Sequence, residues 1–236
     1  AMQVLVDRSE EVGATLHAEG VAFGVLGREV GVGGQQVSLR GLAGDYPDLF
    51  LPVFGEHQAH NAALAVAAVE AFVGGGEQRL TDEVLRGGLA GVTTPGRLEI
   101  VRRSPTVLVD AAHNPAGVQA LVEAMRESFT FTRLVGVLAV LQDKDVEHMV
   151  QALEPVLDHV VVTRTTSPRA IRPARLGELV AGYFGEDRVT VVDRLPDALD
   201  TAAGLADEGG VGGGVLATGS VTTAAEVRAL LGVTTI

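Results

Sequence analysis

Residues 106–121, TVLVDAAHNPAGVQAL, put an acid, an imidazole and a helix start directly after a run that reads as a buried strand. Polar side chains are costly to bury without partners, so Asp110, His113 and Asn114 at a strand end need a reason. Asn114 and Pro115 have a structural one. The Asn side-chain oxygen can cap a following helix, and proline suits the first helical position because its missing N–H is not needed there. Asp110 and His113 are not explained that way. In an open parallel sheet ligands bind beyond the carboxyl ends of the strands. An acid there either accepts hydrogen bonds from sugar hydroxyls or is satisfied by loop N–H groups, and the spacing leaves both readings open.

Two further groups could join the same chemistry. Arg97, in "PGR" thirteen residues before Asp110, offers a rigid donor fork suited to phosphate oxygens; a linker arginine can equally be solvated. His57, Gln58 and Asn61 are spaced three and four apart, so they share one helix face near its start, where a neutral amide can read a base edge. The alternative is a solvated first turn. Asp143, Lys144 and Asp145 follow another strand; they either face the same cleft or supply, through Asp143, the cap of the next helix. "ATGSVTTAAEV" is a strand, a Gly-Ser turn and a helix start able to hold an anion. No G-x-x-x-x-G-K-[ST], HExxH or G-x-S-x-G pattern is present, so the chain carries no phosphate cradle of its own.

These groups need elements to position them. Residues 7–19 read as a short helix closed by Gly20. Strand-like runs follow at 21–26, 35–42 and 48–54, then helices over 56–73 and from Thr81 as N-cap. Beyond a "TTPGR" linker the rhythm changes. Val/Leu-rich runs at 98–103, 106–110, 134–141, 159–164, 188–193 and 214–219 alternate with helices over 115–127, 145–157, 173–184, 196–207 and 222–231. That alternation predicts an α/β fold: a doubly wound, mostly parallel, Rossmann-like sheet covered on both faces, over 95–236. The preceding residues, 1–94, read as a small, mixed α+β part. The glycine-rich "EGGVGGG" reads as a flexible surface loop.

Composition narrows the function classes. The chain has 236 residues, 47% of them hydrophobic, a net charge of −12 and no cysteine, which rules out disulfides and thiolate metal sites. An acidic chain with no basic stripe is a poor nucleic-acid binder. No apolar run suggests a membrane span or signal peptide, so the expectation is a cytoplasmic protein.

The motifs "GEHQAHNAALAVAAVEAF", "TTPGRLEIV", "TVLVDAAHNPAGVQAL" and "VLAVLQDKDVEHM" in that order resemble the carboxyl-terminal half of folylpolyglutamate synthase / dihydrofolate synthase, in the Mur-ligase superfamily. The resemblance implies a central-domain end followed by the Mur-ligase C-terminal domain. It also implies an ATP-dependent ligase that adds L-glutamate to folate or dihydropteroate through an acyl phosphate. By the same resemblance Asn61 contacts ATP, Arg97 reaches its phosphates, Asp110 binds the ribose hydroxyls, and His113 orients phosphate or glutamate. The family's P-loop, its Mg2+-binding Glu and His and its carbamylated lysine have no matching position here. The chain is therefore expected to carry no metal ligands and to be inactive without an amino-terminal half. Two alternatives stand beside this: a naturally short, non-catalytic nucleotide-binding module, and a Mur-type ligase acting on peptidoglycan precursors, against which "DKD" argues.

Overall fold

The computed structural model describes residues 2–233. The chain divides into two compact units, 1–92 and 93–236.

In the first unit, helix α1 (Met2–Val12) buries none of its residues. It lies earlier than the helix expected over 7–19, because Gly13, in the left-handed region at φ 67°, ends it. Three antiparallel strands follow, β1 (Gly24–Gly31), β2 (Gly34–Arg40) and β3 (Asp45–Leu51). The β1–β2 connection is the two-residue turn Val32-Gly33, with Gly31 opposite Gly34, and Gly33 supplies the positive φ of 77° that the second central position of a type II turn needs. β3 starts earlier than the expected 48–54, since Pro47 is tolerated on an edge strand. Helix α2 (Glu56–Gly74) packs Ala59, Ala63, Val66 and Ala67 against Val37, Leu39, Leu49 and Leu51. Helix α3 (Asp82–Ala90) is capped by Thr81, whose side chain accepts from the Val84 N–H, and buries Leu85 and Leu89. The fully buried Glu70 of α2 holds this unit's polar centre. Its carboxylate accepts from the Tyr46 hydroxyl and from the Leu42 and Ala43 N–H groups. A side chain at Gly41 would collide with that carboxylate.

The second unit is a six-stranded sheet in the order β4-β5-β9-β6-β7-β8. Its strands are β4 (Glu99–Arg103), β5 (Thr106–Val109), β6 (Arg133–Leu138), β7 (His159–Val162), β8 (Val189–Val191) and β9 (Gly213–Thr218). β4 is antiparallel to β5; all other pairs are parallel. The linking helices are α4 (Pro115–Ser128), α5 (Val146–Leu153), α6 (Pro173–Phe184) and α7 (Leu195–Asp207), with α8 (Val221–Leu230) after β9. α7 and α8 cover one face, packing Leu195, Ala198, Ala202 and Val227 on Val109, Val135, Val137, Val161 and Val215. Alternation turns Leu108, Leu138, Val160 and Leu216 to the other face, covered by α4, α5 and α6. Small residues permit this closeness: a Cβ at Gly136 would lie 2.6 Å from Leu157.

Chain order and sheet order part company at one place. The chain passes from β5 to β6, moves outward through β7 and β8, and returns along α7 to insert β9 between β5 and β6. β5 therefore feeds a helix on one face while its neighbour β9 feeds a helix on the other, which opens a crevice at their carboxyl ends. The "EGGVGGG" run is no simple loop: Gly210–Gly212 form a 3-10 turn and Gly213 and Gly214 belong to β9. Glycine is required there because a Cβ at 213 would lie 2.0 Å from the Ala206 carbonyl oxygen and one at 214 would lie 2.3 Å from the Phe131 ring.

Candidate functional site

The crevice beside β5 is built from the two motifs that lie thirteen residues apart in sequence. Asp110 sits just past β5 and is buried, at 7% exposure. One carboxylate oxygen accepts from the Leu98 N–H at 2.8 Å and the other from the Ala112 N–H at 2.7 Å. The Ala111 N–H donates to the Gly96 carbonyl at 2.8 Å, and the Gly96 N–H donates to Glu99 at 2.7 Å. Glu99 is in turn paired with Arg228 of α8 at 2.8 Å. The PGR turn is thus clasped onto the strand end by two hydrogen bonds, Leu98 to Asp110 and Ala111 to Gly96, and braced by two local ones, with Leu98 held at φ 45° and Gly96 at φ 69°. A non-glycine residue in the left-handed region costs free energy and persists where its surroundings over-determine it. Here the Asp110 clasp does so.

Arg97 is carried on that turn and is exposed. Its charge acts on Asp110: burial is the main influence and raises the Asp110 pKa above the usual carboxylate value, while the two N–H donors and the Arg97 guanidinium lower it. Asp110 and Arg97 therefore share one locality. Both Asp110 oxygens are engaged by loop N–H groups; each keeps a second lone pair for a further donor.

His113 is half-buried, three residues beyond Asp110. Its Nδ1 lies 2.9 Å from the Ala111 carbonyl oxygen. A carbonyl only accepts, so Nδ1 carries the proton and the neutral ring keeps its lone pair at Nε2. The next residue, Asn114, caps α4 by accepting from the Gly117 N–H at 2.8 Å, with Pro115 in the first turn. Across the crevice, Ser220 follows β9. It caps α8 by accepting from the Thr223 N–H at 3.0 Å, and the Thr223 hydroxyl donates to the Ala139 carbonyl of the β6 loop at 2.8 Å. The loops after β5, β9 and β6 are thereby tied into fixed positions.

Asn61 belongs to the first unit. It is exposed on the second turn of α2, and its amide donates to Gln58 at 3.3 Å, so the two amides do share a face. Asp143 does not cap α5. Asp145 does, accepting from the His148 N–H at 3.4 Å, two residues nearer the helix than expected. Asp143 instead pairs with Lys144 at 3.2 Å and with Arg169, and these cations pull its pKa down. Arg169 carried no local signal in the sequence; its link to Asp143 spans 26 positions. Among the described residues no group of three or more His, Asp or Glu side chains could hold a metal ion, and no helix is long and apolar enough to cross a membrane.

Residues 96–221, from the PGR turn through β5 to the start of α8, match the family described as Mur ligase, glutamate ligase domain. The chain belongs to this Mur ligase family. It is 49% identical, over 98% of its own length and 50% of the relative's, to the dihydrofolate synthase/folylpolyglutamate synthase of Mycobacterium tuberculosis. It superposes with a TM-score of 0.94 and 48% identity on the M. tuberculosis folylpolyglutamate synthase complexed with ADP and AMPPCP, covering 98% of this chain and 52% of that one. With Escherichia coli FolC in complex with DHPP and ADP the TM-score is 0.82 at 26% identity, over 98% of this chain and 50% of that one. The chain thus spans about half the length of the curated relatives it matches.

Proposed function

We propose that this chain supplies the glutamate-ligase half of an ATP-dependent enzyme that adds L-glutamate to folate or dihydropteroate. The observation that carries the reading is the clasp: Asp110 locks the PGR turn so that Arg97 is presented beside a strand-end crevice. Support comes also from the ADP complexes of the M. tuberculosis and E. coli relatives. In this reading the γ-phosphoryl group of ATP passes to the substrate carboxylate with release of ADP, and the amine of L-glutamate attacks the carbonyl carbon of the acyl phosphate, forming the amide and expelling inorganic phosphate.

This chain's own residues then bind and orient. Arg97 offers its fork to phosphate oxygens, where charge develops during transfer. Asp110, through its remaining lone pairs, accepts from ribose hydroxyls. The Nε2 lone pair of His113 orients the incoming glutamate amine or a protonated phosphate oxygen. Asn61 contributes an amide contact to ATP from the first unit. Mg2+ and the triphosphate cradle fall to a P-loop-bearing half, and without it the chain does not turn over.

The test is glutamate-dependent ADP release with dihydropteroate or a reduced folate, using the chain alone and joined in one polypeptide to a P-loop-bearing half. The reading requires release from the joined protein only. Failure of the joined protein, or turnover solely with a peptidoglycan precursor, would overturn it.

A further inference from the structure

The second unit contains a cavity of about 940 Å3 that none of Arg97, Asp110 and His113 lines. It opens among the loop after β7 and the starts of α6 and α7. Three arginines from three separate segments reach it: Arg164 after β7, Arg172 before α6 and Arg194 before α7. Among the described residues Arg164 and Arg172 make no ion pair, and Arg194 has only a 3.7 Å contact with Asp197 within its own first turn, a surface pairing of little worth. Two acids share the cavity wall, Asp193 and Glu226. Glu226 is already committed, accepting from the Thr166 N–H at 3.0 Å and the Thr166 hydroxyl at 2.6 Å. Three arginines therefore share the lining with two carboxylates, Asp193 and Glu226, an excess of one positive charge.

The helix starts add to this. α4, α5 and α8 are each capped by a side chain, Asn114, Asp145 and Ser220. α6 and α7 begin at Arg172 and Arg194 with no side-chain cap; α7 carries Asp197 in its first turn, whereas the first turn of α6 holds no acid, so the positive end of α6 has no local anion. Independently of the helices, Thr165 lines the same cavity at 5% exposure, and its hydroxyl has no partner among the described residues. A buried hydroxyl left unpaired is costly unless something else completes it. The walls are held still. The Thr166–Glu226 bonds fix the loop after β7 to α8, and the Ile171 N–H donates to Val140 and the Gln142 N–H to Arg169.

We propose that this cavity binds a flexible polycarboxylate, the γ-linked oligoglutamyl chain of a substrate or product. The inference rests on the ligase reading above. A single phosphate would leave most of the volume unfilled, and the arginines come from three separate segments. Between them lie Leu195, Pro196, Ala229 and Leu230. A γ-glutamyl chain has the matching pattern: carboxylates separated by methylenes and amides.

Calorimetric titration of the chain with γ-linked pentaglutamate, L-glutamate and inorganic phosphate tests this. The pentamer should bind at least tenfold more tightly than either small anion. R164A/R172A/R194A should weaken the pentamer tenfold or more, with an unchanged circular dichroism spectrum. Should the triple variant fail to fold, R172Q and T165V, read singly, should each weaken the pentamer severalfold. No pentamer binding, phosphate binding as tightly as the pentamer, or unchanged binding in the variants would overturn the proposal. Its failure is separable from that of the ligase reading. Pentamer binding without ligation by the joined protein refutes only the latter, and ligation without pentamer binding refutes only the cavity.

Discussion

Asp110 and Arg97 occupy the same locality but act through different physics, and substitutions should separate them. The Asp110 carboxylate satisfies two backbone N–H groups, that of Leu98 directly after the PGR turn and that of Ala112 on the loop after β5. Asp110→Asn keeps the shape but places an NH2 opposite one of those donors. A buried donor left unpaired costs about 1–3 kcal/mol, so thermal unfolding of the variant should occur at a clearly lower temperature. An unchanged midpoint would show that the clasp holds nothing. Arg97 is exposed, so Arg97→Ala should change stability by under about 0.5 kcal/mol. In the joined enzyme it should lower turnover by about 100-fold, the scale seen on removing one transition-state donor. A stability loss with normal turnover would refute its role. His159 gives a pH dependence. Burial, above all, and then the charges of Arg133 and Arg188 hold its pKa below 6.5, and its Nε2 meets the Thr190 hydroxyl at 2.8 Å. As pH falls below 6.5 the unfolded chain takes up a proton that the folded chain resists, so stability is lost through that window and is greater above it. Melting temperature should drop between pH 7.5 and 5.5, and less steeply in His159→Gln. Equal slopes would sink the assignment.

Elements were legible in the sequence where local chemistry decides them. Thr81 and Asn114 announce α3 and α4 because an N-cap is a one-turn interaction, and the Val/Leu runs announce β5, β6, β7 and β9 because both faces of a parallel strand are buried. Pairings between distant segments were not legible. No local pattern says that β9 enters between β5 and β6, or that Leu98 and Ala112 are what Asp110 reaches. The glycines before β9 show the same limit: "GGVGGG" looks permissive in sequence, yet two of its members are dictated by the Ala206 carbonyl and the Phe131 ring. Gly214→Ala should therefore behave as an overpacked core substitution, costing about 1–3 kcal/mol in chemical denaturation. Gly210→Ala, with open space around it, should cost only what its φ of 77° imposes. Equal losses at the two positions would contradict the close approach.

At the scale of the whole chain the two units differ in how completely each closes its own core. In 93–236 the sheet is covered on both faces, with Val135, Val137, Val161, Val215 and Leu216 fully enclosed. The shielding helices, α4 to α8, all come from the same unit. The unit from 1 to 92 has a three-stranded sheet backed by α2 and α3, while α2 leaves Leu64, Val69, Phe72 and Val73 exposed, Phe72 at 92%. Val69, Phe72 and Val73, three and four positions apart, share one helix face and form an apolar patch of the kind that marks an association surface. The chain's stability should therefore reside mainly in the second unit. Residues 93–236 expressed alone should unfold in one cooperative transition and remain monomeric by light scattering. Residues 2–92 alone should bind a hydrophobic dye and self-associate, and Phe72→Glu should suppress both, because a charge on the patch leaves the buried side of α2 untouched. A second unit that is unfolded in isolation would show that its core, closed as it is, needs support from outside those residues.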